Sequence, residues 1–286
     1  MFKIKSLETI GILFAIFSYL SFSLLDVIQK TLIIYYSVFQ LLFIKYLFTF
    51  LLSLFESWRK KNNQFYLTSN LKIQILRSLL SIIESGCFVL AFRFMGLADV
   101  HSIGASAPII VVVLAVILLK EKVTTEIWVL IFIGFIGVLT IMRPGLSVFD
   151  INSIYALSGA FFVGLYQIVT RKISQKDKNE TSLFYQGFVG IITMGCISII
   201  YWQPITLNFL PLFFGMAFFY SIAAYFQIIA LSKARASMIQ PFHYTLMFWA
   251  VIFGYIFYGD LPDFFTIVGG LIIVCSGIYA LHKQKR

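Results

Sequence analysis

The sequence predicts an all-α integral membrane protein with ten transmembrane helices arranged as a five-plus-five inverted-topology repeat. Three observations predict it. Ten apolar stretches fill nearly all of the 286 residues, the gaps between them alternate in basic charge, and a set of chemical landmarks recurs at one spacing in both halves. Hydrophobic residues make up 60% of the chain, which leaves little material for a soluble domain. Crossing a hydrocarbon core of about 30 Å takes about 20 apolar residues at a rise of about 1.5 Å each. Backbone polar groups in lipid must bond within their own segment, which selects helices. The strand alternative needs alternating segments of about 10 residues, and none occurs.

In chain order the spans are read at 8–28, 37–56, 74–94, 100–119, 126–142, 151–170, 182–201, 209–231, 236–257 and 264–281. The first lacks a small-residue cleavage site and runs into Asp26-Val27-Ile28-Gln29-Lys30, so it reads as a retained helix, not a signal peptide. The longest gaps are the basic loops near 57–73 and 171–181. Short gaps make sequence neighbours spatial neighbours. Pro108 in the fourth span and Pro241 in the ninth are expected to bend their helices and free carbonyls. Glu121 and Asp260 end those spans. Negative charge opposes a helix C-terminus, so both are read as caps for the helix that follows. Cys87, Cys196 and Cys275 fall within spans and read as small core residues.

The formal charge of +10 is explained by topology. With a cytoplasmic N-terminus, the inner gaps take Lys3, Lys5, Arg59, Lys60, Lys61, Lys72, Arg77, Lys120, Lys122, Arg171, Lys172, Lys176, Lys178, Lys233, Arg235, Lys283, Lys285 and Arg286, which is 18 of the 22 basic residues. The outer gaps take Lys30, Arg93 and Arg143, and Lys45 lies inside a span. This is the positive-inside asymmetry, and it puts both termini in the cytoplasm. A nucleic-acid partner is not expected.

The repeat is carried by spacing. Ala91 to Glu121 covers thirty positions, and Ala230 to Asp260 covers the same thirty. A hydrophobic segment with paired small residues follows each acid: Gly134 and Gly137 in one, Gly269, Gly270 and Gly277 in the other. Asp26…Lys30 lines up with Gln167…Arg171. Residues 1–145 and 146–286 therefore read as two five-helix copies. Five is odd, so the second copy enters the membrane from the opposite side. Halves so related rock around a site near the midplane, giving alternating access.

The stretch Ala91-Phe92-Arg93-Phe94-Met95-Gly96-Leu97-Ala98, with Ala107-Pro108 and Glu121 beyond it, resembles the repeat signature of the drug/metabolite transporter superfamily, EamA type. The resemblance covers essentially the whole chain. Asp26-Val27-Ile28-Gln29-Lys30, Arg77-Ser78-Leu79-Leu80 and Gln240-Pro241-Phe242-His243-Tyr244 are similar to that family's S-adenosylmethionine uptake branch. Lys45 and His243 stand where that branch tends to carry arginine, and Glu84 has no counterpart acid. The resemblance implies a ten-helix carrier in a bacterial inner membrane.

Ionisable groups inside a membrane cost about 2.5–3.5 kcal/mol each on insertion scales, which makes them functional candidates. Lys45 and Glu84 lie about 12 and 15 Å from the outer ends of their helices and are expected to pair or to share a substrate. Glu84 with Phe88 and Phe92 suits a cation, since ring faces attract positive charge. Lys45 or His243 suits a carboxylate. Tyr166, Gln167, Tyr185, Gln186, Gln227, Gln240, His243 and Tyr244 supply neutral polar groups from four helices, able to hydrogen-bond a ligand or to join helices. The candidate substrate-binding set is Lys45, Glu84, Phe88, Tyr166, Gln167, Gln227, His243 and Tyr244. Asp26, Lys30 and Arg93 are expected to form an outer gate.

No P-loop, nucleophile–base pair or metal-ligand spacing is present in the sequence, and His101, His243 and His282 are scattered. No cofactor and no metal are expected. The expected activity is secondary transport of a small polar metabolite, with S-adenosylmethionine as the leading substrate. The expected partners are that metabolite and the lipid bilayer, and the expected assembly is a monomer or homodimer. An exporter of amino acids and a non-transporting membrane scaffold are the alternatives.

Overall fold

The structure, a computed structural model, describes residues 2–95, 97–142, 151–258 and 264–284. Side chains within them are described except at 2–6, 97–99, 102, 141–142, 250–251, 254–255, 257–258, 266 and 280–284. Gly96, Arg143, Asp260, Lys285 and Arg286 lie outside the described residues, and so does the second end of the thirty-residue spacing.

Twelve α-helices make up the described chain: α1 Phe2–Leu32, α2 Val38–Arg59, α3 Leu71–Phe94, α4 Leu97–Gly104, α5 Ala107–Leu119, α6 Thr125–Met142, α7 Ser153–Ile173, α8 Asn179–Ile200, α9 Leu210–Lys233, α10 Ala236–His243, α11 Thr245–Tyr258 and α12 Phe264–Gln284. Six of them, α1, α2, α3, α7, α8 and α9, are long and apolar enough to cross a membrane. Local chemistry sets several ends. Ser37 Oγ accepts from the Gln40 amide to start α2, and Asn70 Oδ1 accepts from the Ile73 amide to start α3. Pro108 sits in the first turn of α5, where its missing N–H costs nothing.

Two expected spans are not continuous helices. The fourth breaks between α4 and α5, and the ninth between α10 and α11. Pro241 lies inside α10, so the second break falls at Tyr244, beyond the proline. Tyr244 Oη donates to the Ala105 carbonyl across 3.4 Å, so one break supplies a partner for a carbonyl freed by the other.

The helices pair in crosswise fashion. α1 lies along α9 and α3 along α7; α2 packs on α8, and α6 on α12. α2 also touches α9, α3 touches α8, α4 and α5 lean on α7, and α10 and α11 lean on α1. Exchanging α1–α6 for α7–α12 in order leaves these pairings unchanged. Small residues permit the close crossings. A Cβ on Gly187 of α8 would stand 2.5 Å from the Phe50 amide nitrogen of α2.

Polarity is inverted relative to a protein that folds in water. Phe17, Leu51, Phe55, Ile83, Phe214 and Leu271 are exposed, while Lys45, Gln74, Arg77 and Gln240 have no exposed surface. An apolar exterior suits lipid. Arg77, counted above among the inner-gap cations, is instead wholly buried. Cys196 and Cys275 are exposed on the bundle surface and not in the core as expected; Cys87 is half-buried.

Candidate functional site

A cavity of about 130 Å³ opens where the two helix breaks meet. One ordered water needs about 10–15 Å³, so the space is far larger than a packing defect. Its wall draws on α1, α2, α3, α4, α5, α7, α9, α10 and α11. All eight candidate binding residues, Lys45, Glu84, Phe88, Tyr166, Gln167, Gln227, His243 and Tyr244, lie in that wall.

Charge concentrates at one end. Lys45 Nζ, fully buried, donates to Gln29 Oε1 at 2.8 Å and to Ser85 Oγ at 2.7 Å, and stands 4.7 Å from the centre of the Tyr220 ring. Lys45 therefore makes neutral hydrogen bonds and no contact pair with Glu84; the other expectation, that the two share a substrate, is left by their place in one cavity wall. The carboxylates of Glu84 and Asp26 act on it through space from the same cavity. Asp26 Oδ2 is 3.7 Å from His101 Nε2. His101 was not among the sequence candidates, because a lone histidine gives no spacing signal.

Aromatic rings cover the faces between these charges. The Phe88 ring is seated by two glycines: a Cβ on Gly159 would come within 2.9 Å of it, and one on Gly104 within 3.4 Å. Phe92 follows at 6.5 Å between ring centres. Tyr19 and His243 stack obliquely at 4.8 Å.

The expected outer gate does not gather as one cluster. Asp26 faces the cavity beside His101, whereas Arg93 is exposed and lines a separate surface depression with Tyr35, Tyr36, Tyr201 and Trp202. Lys30 is half-buried near the end of α1. Tyr185 points away from the cavity and donates to the Tyr66 carbonyl at 2.8 Å. Gln240 donates to Gln167 Oε1 at 2.9 Å and holds it in the wall from behind.

A second polar layer borders the cavity and is joined to the Lys45 end through Tyr220. The Arg77 fork donates to Gln74 Oε1 (3.1 Å), Gln186 Oε1 (3.0 Å), Tyr166 Oη (3.4 Å) and the Ser182 carbonyl. Gln186 in turn donates to Ser81 and to Tyr220 Oη. Gln74 Nε2 reaches Asp177 Oδ2 at 2.8 Å, and Asp177 also takes bonds from the Thr68 hydroxyl and the Ser69 amide. Partial burial pushes the Asp177 carboxyl up, but those donors outweigh it and hold the group below its usual value. Beside it, Lys60 bridges Glu180 (3.2 Å) and Tyr225 Oη (3.0 Å), and Tyr225 donates to Glu56. Glu121 caps a helix, but not the following one: it accepts from the Ala236 and Ser237 amides and the Ser237 hydroxyl, at the start of α10.

The cavity is thus displaced toward one end of the bundle. Its α3 residues, Glu84 to Phe92, begin about 20 Å from Leu71 and come within about 3 Å of Phe94 along the axis. The stretch between Leu71 and Glu84 holds the Arg77 layer.

These features define a multi-pass helical membrane protein enclosing a charged, ring-lined cavity. The chain belongs to the EamA-like transporter family, whose pattern matches residues 9–143 and again residues 151–281. It is 25% identical over 279 residues to an S-adenosylmethionine uptake transporter of Rickettsia bellii, covering 97% of this chain and 95% of the relative. It is 23% identical over 216 residues to a pseudopaline exporter of Pseudomonas aeruginosa, covering 74% and 75%. It is 23% identical over 228 residues to a riboflavin transporter of Brucella anthropi, covering 76% and 79%. A crystal structure 12% identical superposes over 98% of both chains with a TM-score of 0.79, a likeness of fold. A transport role, not an enzymatic one, follows from the family.

Proposed function

We propose that the chain is a secondary carrier that takes up S-adenosylmethionine by alternating access, built from two inverted five-span copies, residues 1–145 and 146–286, with both termini in the cytoplasm. The observation that carries this reading is the cavity lined by both halves, in which Lys45, Asp26 and Glu84 share the wall with aromatic rings. Two carboxylates and an ammonium complement a substrate bearing an ammonium, a sulfonium and a carboxylate, and the rings suit its cationic parts. The crosswise pairing, unchanged on exchange of the halves, supports the duplication, as does the double match to the family pattern. The ten-crossing reading counts α4/α5 and α10/α11 each as one broken span; six of the helices are long and apolar enough to cross a membrane by themselves. Discontinuous helices that meet at the substrate site are the usual setting in such carriers. The Arg77 layer lies on the side of the basic loops, so this conformation is read as closed to the cytoplasm.

The test is uptake of radiolabelled S-adenosylmethionine by cells expressing the chain. Saturable uptake, inhibited by S-adenosylhomocysteine and strongly reduced by Glu84→Gln, is expected. Uptake no greater than in vector controls removes the substrate assignment. Export of an amino-acid-derived metabolite is the second reading, favoured by the similarity to a pseudopaline exporter. Efflux of preloaded labelled amino acids separates the two.

A further inference from the structure

Most buried glutamines of this protein are carefully partnered. Gln40 exchanges two hydrogen bonds with the Gln203 backbone, and Gln74 and Gln186 both donate and accept through their amides. Gln227 differs. It is 2% exposed and lines the cavity, yet neither its amide oxygen nor its amide nitrogen completes a hydrogen bond. Tyr19 Oη is near enough to interact with Gln227 but completes no bond of normal geometry, and His243 Nδ1 is likewise unbonded. Buried polar groups are nearly always satisfied. Such groups on one cavity wall, from α9, α1 and α10, with His101 Nε2 of α4 also unbonded there, mark the place where a ligand brings the missing partners.

The chemistry of that ligand follows from the amide. A carboxamide presents an acceptor and a donor side by side in one plane. It pairs in two-pronged fashion with an edge offering a donor next to an acceptor, as glutamine does with the amine and N7 of a 6-aminopurine. A 6-oxopurine offers acceptors at both positions and cannot match it. The flanking Tyr19 and His243 rings, 4.8 Å apart, supply flat faces beside the amide. Asp26, Glu84 and Lys45 line the same cavity.

We infer that Gln227 is a specificity-determining residue that reads the donor–acceptor edge of the substrate's uncharged heterocycle, while the charged part of the substrate lies toward Asp26, Glu84 and Lys45. The inference rests on the carrier reading above and names how its site selects a substrate.

The experiment is equilibrium binding of S-adenosylhomocysteine and S-inosylhomocysteine, which differ in the purine 6-substituent and the adjoining N1 proton, to the full chain in lipid nanodiscs. Wild type is expected to bind the adenosyl compound at least tenfold more tightly. Gln227→Met, close in length and volume, is expected to weaken that binding tenfold or more and bring the two compounds to parity. Equal affinities in wild type, no binding of either compound, or a preference that survives in Gln227→Met would each overturn the inference. Uptake of S-adenosylmethionine is measured in parallel. Uptake without discrimination overturns the role of Gln227 and leaves the carrier reading intact. Discrimination without uptake supports the role of Gln227 and removes the uptake reading.

Discussion

Replacing Arg77 with methionine tests the idea that a buried cation here acts as a hydrogen-bonding fork. The guanidinium is wholly buried, and its hydrogen-bond partners are neutral: Gln74, Gln186, Tyr166 and the Ser182 carbonyl. Hydrogen bonds to a charged group contribute about 1.5–3 kcal/mol each. Keeping a guanidinium out of water costs several kcal/mol, which its removal returns. Gln186 Oε1 keeps a donor in Tyr166 Oη at 3.2 Å, so Gln74 Oε1 is the clearest orphan, at about 1–3 kcal/mol. The expected net loss for Arg77→Met is therefore about 2 kcal/mol. Arg77→Lys should be no better and is expected to be worse: the charge stays buried, but a point ammonium cannot span acceptors that a planar fork reaches. Chemical unfolding in detergent micelles, followed by tryptophan fluorescence, measures both. A lysine variant with wild-type stability would refute the fork argument, because charge alone would then suffice.

Lys45→Met is expected to lower uptake at least tenfold, since it removes the cation that shares the cavity with Glu84 and Asp26; normal uptake would detach Lys45 from the site. Asp177→Asn should speed amide hydrogen exchange across 62–74 and 174–182, because an amide cannot accept from Thr68, Ser69 and Gln74 together; unchanged protection would contradict this. The folded Asp177 carboxyl titrates below its unfolded value of about 3.9. Its contribution is therefore present above that pH and lost as pH falls through the depressed value, so the same segments should loosen only below about pH 4. Gly187→Ala places a methyl 2.5 Å from the Phe50 amide nitrogen, where only backbone can yield; a loss of about 1–3 kcal/mol in the same unfolding assay is expected, and none would mean that α2 and α8 separate freely.

Helix positions were legible because the bilayer imposes a length and an apolar composition that few other settings share. Buried charge was legible for the same reason: Lys45 and Glu84 stand out in an apolar run, and both line the cavity. Arg77 was not, because it sits near a basic loop, where topology already accounts for a cation. The helix breaks were half legible. Proline flagged both segments, but Pro241 is tolerated within α10 and the chain parts at Tyr244. His101 and the partnering of Glu121 with α10 were hidden, since each depends on which helix lies opposite, and periodicity carries no such information.

The crosswise pairing has a consequence for how this chain folds. The largest contacts of α1, α2, α3 and α6 are all made with helices of the second half. A ribosome delivering α1–α6 would therefore release a set of helices with few of their final neighbours yet made. Until the last segments insert, Lys45 and Arg77 would lack much of the wall that shields them from lipid, because Tyr220, Gln186, Tyr166 and Ser182 all come later. Neither half is then a self-sufficient folding unit, and the two are obliged to change together: a substitution in one is judged by a partner encoded in the other.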